Sequence, residues 1–283
     1  MSGAHPDLPT LAVTGSTGAV GGEVARTLAG RGVPLRLLVR SPSRAPSLEG
    51  AAVVGCTYAE PGEALEGVRV LFMVSASESA DRLAEHRSFV EAAARAGVEH
   101  VVYTSFLNAS PEATFTLARD HHATELMIRE AGLGFTFLRD SLYLDFLASL
   151  VGDDGVVRGP AGSGALAGVA RHDVAASAVA VLHDPAAHAG ATYDLTGREA
   201  LTFAEVAGVL ARHLGREVRF HDETVEEAYA SRRRYGAPDW QLDAWVSTYT
   251  AIAAGELATV SGDVERLTGR PPLTLDELLT RRA

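Results

Sequence analysis

The chain of 283 residues contains no lysine; all 25 of its basic residues are arginine. Two chemistries fall with that absence. A Schiff-base mechanism needs a lysine amine, and a P-loop needs a lysine to hold its phosphates. Cysteine is nearly as scarce. A single Cys56 excludes an internal disulfide framework and fits a reducing cytosol; alone, it reads as a small apolar residue. Long apolar runs are missing: none approaches the roughly 20 residues that span a bilayer. Met1–Thr10 shows no basic stretch followed by an apolar one, so no secretory leader is expected. Positive charge is in deficit. A formal charge of −11 argues against nucleic-acid binding, which depends on neutralising phosphates, and against a polybasic membrane anchor. The one basic run, Arg232-Arg233-Arg234, is flanked by Glu226, Glu227 and Asp239 and reads as a solvated helix face. His183-Asp184 and His188 are too loosely grouped for a metal site, and no metal is expected. The expectation is a cytoplasmic protein, monomer or homodimer, with neither nucleic-acid nor membrane partners.

What is present is an alternating pattern. Short β-branched runs at Leu11–Thr14, Leu35–Val39, Ala51–Val54, Val68–Val74, His100–Thr104 and Gly134–Leu138 read as strands. Helical patterns at Ala19–Ala29, Asp81–Ala96 and Leu117–Ala131 separate some of them, each closed by glycine. Strands joined by crossover-length helices imply a parallel sheet covered on both faces. Gly152–Gly168, with six glycines and a proline, reads as loop and turn. Beyond it come a helix at Val174–Leu182, strands at Thr192–Leu195 and Glu217–His221, and helices at about 225–235 and 239–254. Thr202-x-x-Glu205 and Thr274-x-x-Glu277 are capping boxes. The predicted fold class is α/β: a Rossmann-type, doubly wound parallel sheet with a small C-terminal α/β substrate lobe. The expected boundaries are 1–150 for the first domain, completed by about 166–196. The lobe is 197–283, with 141–165 contributing.

The strongest motif is Gly15-Ser16-Thr17-Gly18-Ala19-Val20-Gly21, a G-x-x-G-x-x-G between the first strand and first helix. Gly15 allows the tight turn, Gly18 lets backbone approach a pyrophosphate, and Gly21 lets helix and strand pack closely. Phosphates would sit against backbone N–H groups and the positive end of the helix dipole. NAD-specific folds place an acid at the end of the second strand, on the ribose 2′-hydroxyl. Here that place holds Arg40, with Arg44 close behind. A guanidinium attracts a 2′-phosphate where an acid would repel it, so the cofactor expected is NADP(H). The alternative is a pair of solvated arginines.

Thr14–Gly21, His100–Ser105, Asp120–Glu125, Leu138-Arg139-Asp140 and Arg171–Ala175 together resemble the NmrA-like atypical short-chain dehydrogenases. Within them the pattern is most similar to the type 2 NAD(P)H:quinone oxidoreductases and azoreductase-like proteins. The resemblance covers nearly the whole chain. It implies a glycine turn at Gly15, Thr17, Gly18, Val20 and Gly21, a 2′-phosphate arginine at Arg40, and Val74-Ser75-Ala76 beside the ribose and pyrophosphate. Thr104 and Ser105 approach the nicotinamide side, and His121 matches a histidine near the nicotinamide ribose. There are departures. Cys56 follows the third strand where the family often has an acid facing the adenine. Asp140-Ser141 stands where Asn-Gly is common, which puts a quinone preference in doubt.

The Tyr-x-x-x-Lys pair of typical short-chain dehydrogenases cannot exist here; Leu117 and His121 occupy the corresponding positions. Hydride transfer belongs to the cofactor, and an electron-poor acceptor needs less acid help than a ketone. A proton is still required. His121 is the first candidate donor, because imidazole titrates near neutrality; it can equally be structural. Its neighbour His122 is expected to be solvated. Tyr143 is the second candidate, or else packs the lobe. Ser105 either orients a substrate oxygen or is an ordinary loop serine. Trp245, Tyr249 and Ile252 share a helix face and form lobe core or an aromatic pocket. The function implied is an NADPH-dependent reductase of a small, quinone-like molecule. The alternatives are a non-catalytic NADP(H)-sensing regulator of the NmrA type and a biosynthetic tailoring reductase.

Overall fold

The computed structural model describes residues 8–281. Most of the segment considered for a leader, residues 1–7, lies outside the described residues. In chain order the elements are β1 (Leu11–Thr14), α1 (Ala19–Gly30), β2 (Leu35–Val39), β3 (Ala51–Gly55), β4 (Val70–Met73), α2 (Arg82–Arg95), β5 (His100–Phe106), α3 (Thr116–Glu130), β6 (Gly134–Asp140), β7 (Val156–Gly159), β8 (Ala165–Leu166), α4 (Arg171–His183), β9 (Thr192–Leu195), β10 (Leu201–Thr202), α5 (Phe203–Leu214), β11 (Arg219–Asp222), α6 (Val225–Arg232), α7 (Asp239–Ala253), α8 (Asp263–Thr268) and α9 (Leu275–Thr280). The main sheet has seven strands in the order β3-β2-β1-β4-β5-β6-β9.

β1 pairs in parallel with β2 on one side and β4 on the other. The chain therefore runs outward from β1 in one direction, then returns to build in the other. That reversal creates a crevice at the carboxyl ends of β1 and β4, the place where open α/β sheets bind ligands. The strands suit burial on both faces: all five residues of β2, Leu-Arg-Leu-Leu-Val, are buried. The arginine among them, Arg36, is accommodated because its guanidinium donates to the carbonyls of Ala64 and Glu66, at 2.9 and 2.7 Å. On α1, Val20, Val24 and Leu28 repeat every four residues and form the buried stripe.

Two compact units make up the chain. The first comprises Met1–Ser105, Ala123–Leu138 and Ala175–Tyr193. Its core gathers Leu71, Met73, Phe89, Tyr103 and Phe137. The second comprises Phe106–His122, Arg139–Val174 and Asp194–Ala283, around Phe106, Leu144, Val157, Phe203, Tyr249 and Ile252. Tyr249 and Ile252 are thus lobe core, and Trp245 is half-buried.

Three expectations need correction. Gly152–Gly168 is not all loop: it holds β7, parallel to β11, and β8, antiparallel to β10. Strands of four and two residues are too short to show alternation, and their partners lie far along the chain. Arg232 is not solvated. It is buried, donates to Glu223 at 2.8 Å and lies over the Tyr249 ring. His122 is half-buried with Nδ1 sealed from solvent.

Candidate cofactor and active site

The glycine turn follows from close packing of backbone on backbone. A Cβ on Gly21 would lie 2.5 Å from the Gly15 carbonyl oxygen and 2.6 Å from that of Thr14. Gly15 has φ +64°, in the left-handed region. A side chain there would also press on Val74, the first residue after β4. The turn is tied by the Gly18 amide donating to the Gly15 carbonyl at 2.9 Å. Gly18 then caps α1 without a side chain, and the first turn of the helix carries no acid. Thr17, Gly18 and Ala19 are exposed, whereas Ser16 is buried and its Oγ has no partner among the described residues. Uncapped amides at a helix head and an unsatisfied buried hydroxyl beside them suit a diphosphate.

Beside this turn the segment after β4 is held by three side chains in register. The amides of Val74, Ser75 and Ala76 donate to Thr14 Oγ1 (2.8 Å), Thr104 Oγ1 (2.8 Å) and His86 Nε2 (2.9 Å), respectively. Tyr58 closes the arrangement through hydrogen bonds to Thr14 Oγ1 and the Val74 carbonyl, and burial raises its pKa. His86 Nδ1 lies 2.8 Å from Thr124 Oγ1. Burial, aided by the nearby Arg82, pushes the imidazole down to about 3, so it stays neutral.

Arg40 is exposed at the end of β2, and Arg44 ends the short 3₁₀ turn Pro42–Arg44 that follows. The turn packs on Gly55 through Pro42. The Cys56 amide donates to the Val39 carbonyl at 2.9 Å, which sets Cys56 next to Arg40. The Cys56 thiol is half-buried and pushed up to about 11 by burial, so no negative charge sits there. Ser105 is buried and donates to Glu125 Oε1 at 2.6 Å.

The second unit holds the two other candidates. His121 is buried, its ring 6.0 Å from that of Phe106. Tyr143 follows β6 and donates to Asp140 Oδ2 at 2.7 Å. Asp140 is buried, and desolvation pushes it up to about 8 against the lowering effect of that hydrogen bond. Arg171 lies over the Tyr143 ring. Among the described residues no group of three or more His, Cys, Asp or Glu is placed to hold a metal, and no helix is long and apolar enough to cross a membrane.

The structure thus brings the glycine turn to Val74, Ser75 to Thr104, and Cys56 to Arg40. The sequence reading missed Tyr58, His86 and Thr124 as support for that site. The buried-face spacing of His86, Phe89 and Val90 on α2 marks a histidine in the core; nothing local marks Tyr58.

A glycine-rich turn at the head of the first helix, at the reversal point of a parallel sheet, defines a dinucleotide-binding α/β protein. More narrowly, the chain belongs to the NmrA-like family, whose family model matches residues 8–235. It is 33% identical to quinone oxidoreductase 2 of Escherichia coli over 278 residues, covering 94% of this chain and 96% of that protein. It is 31% identical to the NAD(P)H azoreductase of Xenophilus azovorans over 281 residues, covering 96% and 98%. Among solved structures, that of the NADPH-dependent quinone oxidoreductase of Escherichia coli complexed with NADPH superimposes with a TM-score of 0.87 at 31% identity, covering 96% of this chain and 99% of that one.

Proposed function

We propose that the protein is an NADPH-dependent oxidoreductase that passes hydride to a small, electron-poor organic acceptor of the quinone class. The observation that carries this is the cradle formed by Gly15–Gly21, with its uncapped helix head and unsatisfied Ser16 hydroxyl, in a chain similar along its whole length to NADPH-dependent reductases. Bound NADPH supplies the hydride. The amides of residues 16, 17 and 19–21 and the Ser16 hydroxyl would hold the diphosphate, while the Gly18 amide ties the turn itself. Arg40 and Arg44 face the 2′-phosphate, with neutral Cys56 beside them offering no repulsion. Val74-Ser75-Ala76 and Thr104 flank the ribose side.

His121 and Tyr143 are the candidate proton donors. Ser105 has its hydroxyl hydrogen committed to Glu125, so toward a ligand it serves as an acceptor that orients. The protein works in the cytoplasm as a monomer or homodimer, without nucleic-acid or membrane partners.

The test is NADPH oxidation over a panel of quinones, enones and azo dyes. Turnover with quinones supports the reading. No turnover with any acceptor, together with equal affinity for oxidised and reduced cofactor, contradicts it and favours a regulatory nucleotide sensor.

A further inference from the structure

We propose that the outer face of the β7–β11 pair is a binding site for small organic phosphates, with Arg158, Arg219 and His221 holding the phosphate. Every residue lining this site belongs to the second compact unit, and the site is independent of the oxidoreductase reading above.

The register decides which side chains share this face. In the parallel pair Arg219 lies against Val156, Phe220 against Val157 and His221 against Arg158. Side chains alternate along a strand, so Val157 and Phe220 point one way, and Val156, Arg158, Arg219 and His221 point the other. The first two face the lobe core: Val157 is fully buried, and the Phe220 ring stacks on that of Phe203. The other four, with Phe220 at the side, line a cavity of about 410 Å³, within the size range of small-molecule sites. Val156 is buried and gives the cavity an apolar base.

The polar side chains of this cavity are open and short of partners. Arg219 and His221 are exposed, and neither side chain makes a hydrogen bond or ion pair among the described residues. Arg158 is held in place. Asp154 accepts from both of its Nη atoms, and its carbonyl accepts from the buried Arg232 at 3.1 Å. Acids close by in sequence are engaged elsewhere or absent from the lining. Asp154 does not line the cavity. Asp222 accepts from the Gly162 amide at 2.8 Å, and Glu223 pairs with Arg232. Glu217, two residues before Arg219, makes no ion pair with it. In a chain with a formal charge of −11, a cavity lined by two guanidiniums, an imidazole and no carboxylate runs against the overall charge.

Guanidinium groups donate and cannot accept, so a complementary ligand brings acceptor oxygens and negative charge. A phosphate monoester carries about −1.5 to −2 charges near neutral pH and three strong acceptor oxygens, and arginine binds it through paired hydrogen bonds. A carboxylate offers one charge and two oxygens. Arg219 and His221 stand about 7 Å apart along β11, with β7 about 4.8 Å to the side, so side chains from both strands converge on one phosphate. The organic part of the ester lies against Val156 and Phe220. Asp154 orients the Arg158 guanidinium and offsets part of its charge, which leaves most of the affinity to Arg219 and His221.

The experiment titrates the full-length protein with phenyl phosphate and, in parallel, with benzoate, at an ionic strength held constant with sodium chloride. The readout is the NMR signal of the His221 ring, identified by its loss in His221→Gln. Phenyl phosphate should shift that signal saturably, and benzoate should bind at least about tenfold more weakly. Arg219→Ala should weaken phenyl phosphate binding about tenfold, the loss expected of one charge-assisted contact. Arg234→Ala, at an exposed position outside the cavity lining, should leave it within about twofold. Arg40→Asp should also leave it unchanged, which separates this site from the nucleotide-binding turn. No saturable shift of the His221 signal, an equal response to benzoate, or unchanged affinity in Arg219→Ala would overturn the site. Loss of binding in Arg40→Asp would overturn it too, by assigning the phosphate to the nucleotide site.

Discussion

The Ala76 amide donates to Nε2 of His86 at 2.9 Å, so that nitrogen must be an acceptor. The ring hydrogen is therefore on Nδ1 and donates to Thr124 Oγ1. One neutral imidazole fixes the end of the Val74–Ala76 segment and joins it to α3. Protonation would put a hydrogen on Nε2 and break the bond to Ala76. The group's pKa is depressed from 6.5 to about 3 in the folded protein, so its stabilising contribution is complete above about pH 6.5 and is lost as pH falls toward 3. Urea titrations across this window should show the wild type losing stability more steeply than His86→Gln. At pH 7 the variant should be weaker by about 1–3 kcal/mol, from the unmet amide. Identical pH slopes would contradict the neutral assignment.

Asp140 gives the opposite sign. Its pKa is raised from 3.8 to about 8 on folding. Its folded form binds a proton that the unfolded chain releases, so the contribution is full below about pH 4 and is lost as pH rises to 8. Asp140→Asn has no such slope. Its urea midpoint should gain on that of the wild type steadily between pH 5 and 8, and a constant difference would count against a protonated acid.

Gly21→Ala places a methyl group 2.5 Å from a backbone oxygen that cannot swing aside. It should lower Tm by several degrees and abolish measurable NADPH binding. Gly208→Ala is the matched control: it lies within α5 and its new methyl meets nothing within 4 Å. That change should raise stability by about 0.5–1 kcal/mol and leave binding untouched, as a comparison of the two variants by thermal melts and fluorescence titration would show.

Arg232 and Glu223 form an ion pair with side chains only 10% and 3% exposed. Removing the guanidinium leaves a buried carboxylate without its cation. Arg232→Ala should cost about 3–5 kcal/mol, whereas Arg234→Ala, at an exposed position two residues on, should stay within about 0.5 kcal/mol. Chemical denaturation of both separates these outcomes; equal costs would mean that burial of Arg232 is not what matters.

The contrast within that arginine run shows what the sequence could and could not reveal. Three consecutive arginines look alike in a charge pattern; which one turns inward depends on Glu223 and Tyr249, which come from other elements. The glycine turn was legible because it is local: Gly15, Gly18 and Gly21 are set by their own strand–turn–helix geometry. The strands of the main sheet were legible from β-branched runs, with β1, β2 and β9 agreeing to the residue. β7 and β8 were not, since four and two residues gain strand character only from partners Arg219–Asp222 and Leu201–Thr202. The place of Tyr143 just after β6 was legible; its hydrogen bond to Asp140 was not, because the burial of Asp140 is a property of the packed lobe.

The central claim is that the Gly15–Gly21 turn holds a diphosphate while Arg40 and Arg44 hold a 2′-phosphate. Fluorescence titration of the purified protein with NADPH and NADH, repeated with Arg40→Asp, tests it most directly. NADPH should bind at least about tenfold more tightly than NADH, as expected of a charge-assisted contact, and Arg40→Asp should erase that margin. Equal affinity of the wild type for both nucleotides, or no affinity for either, would contradict the account.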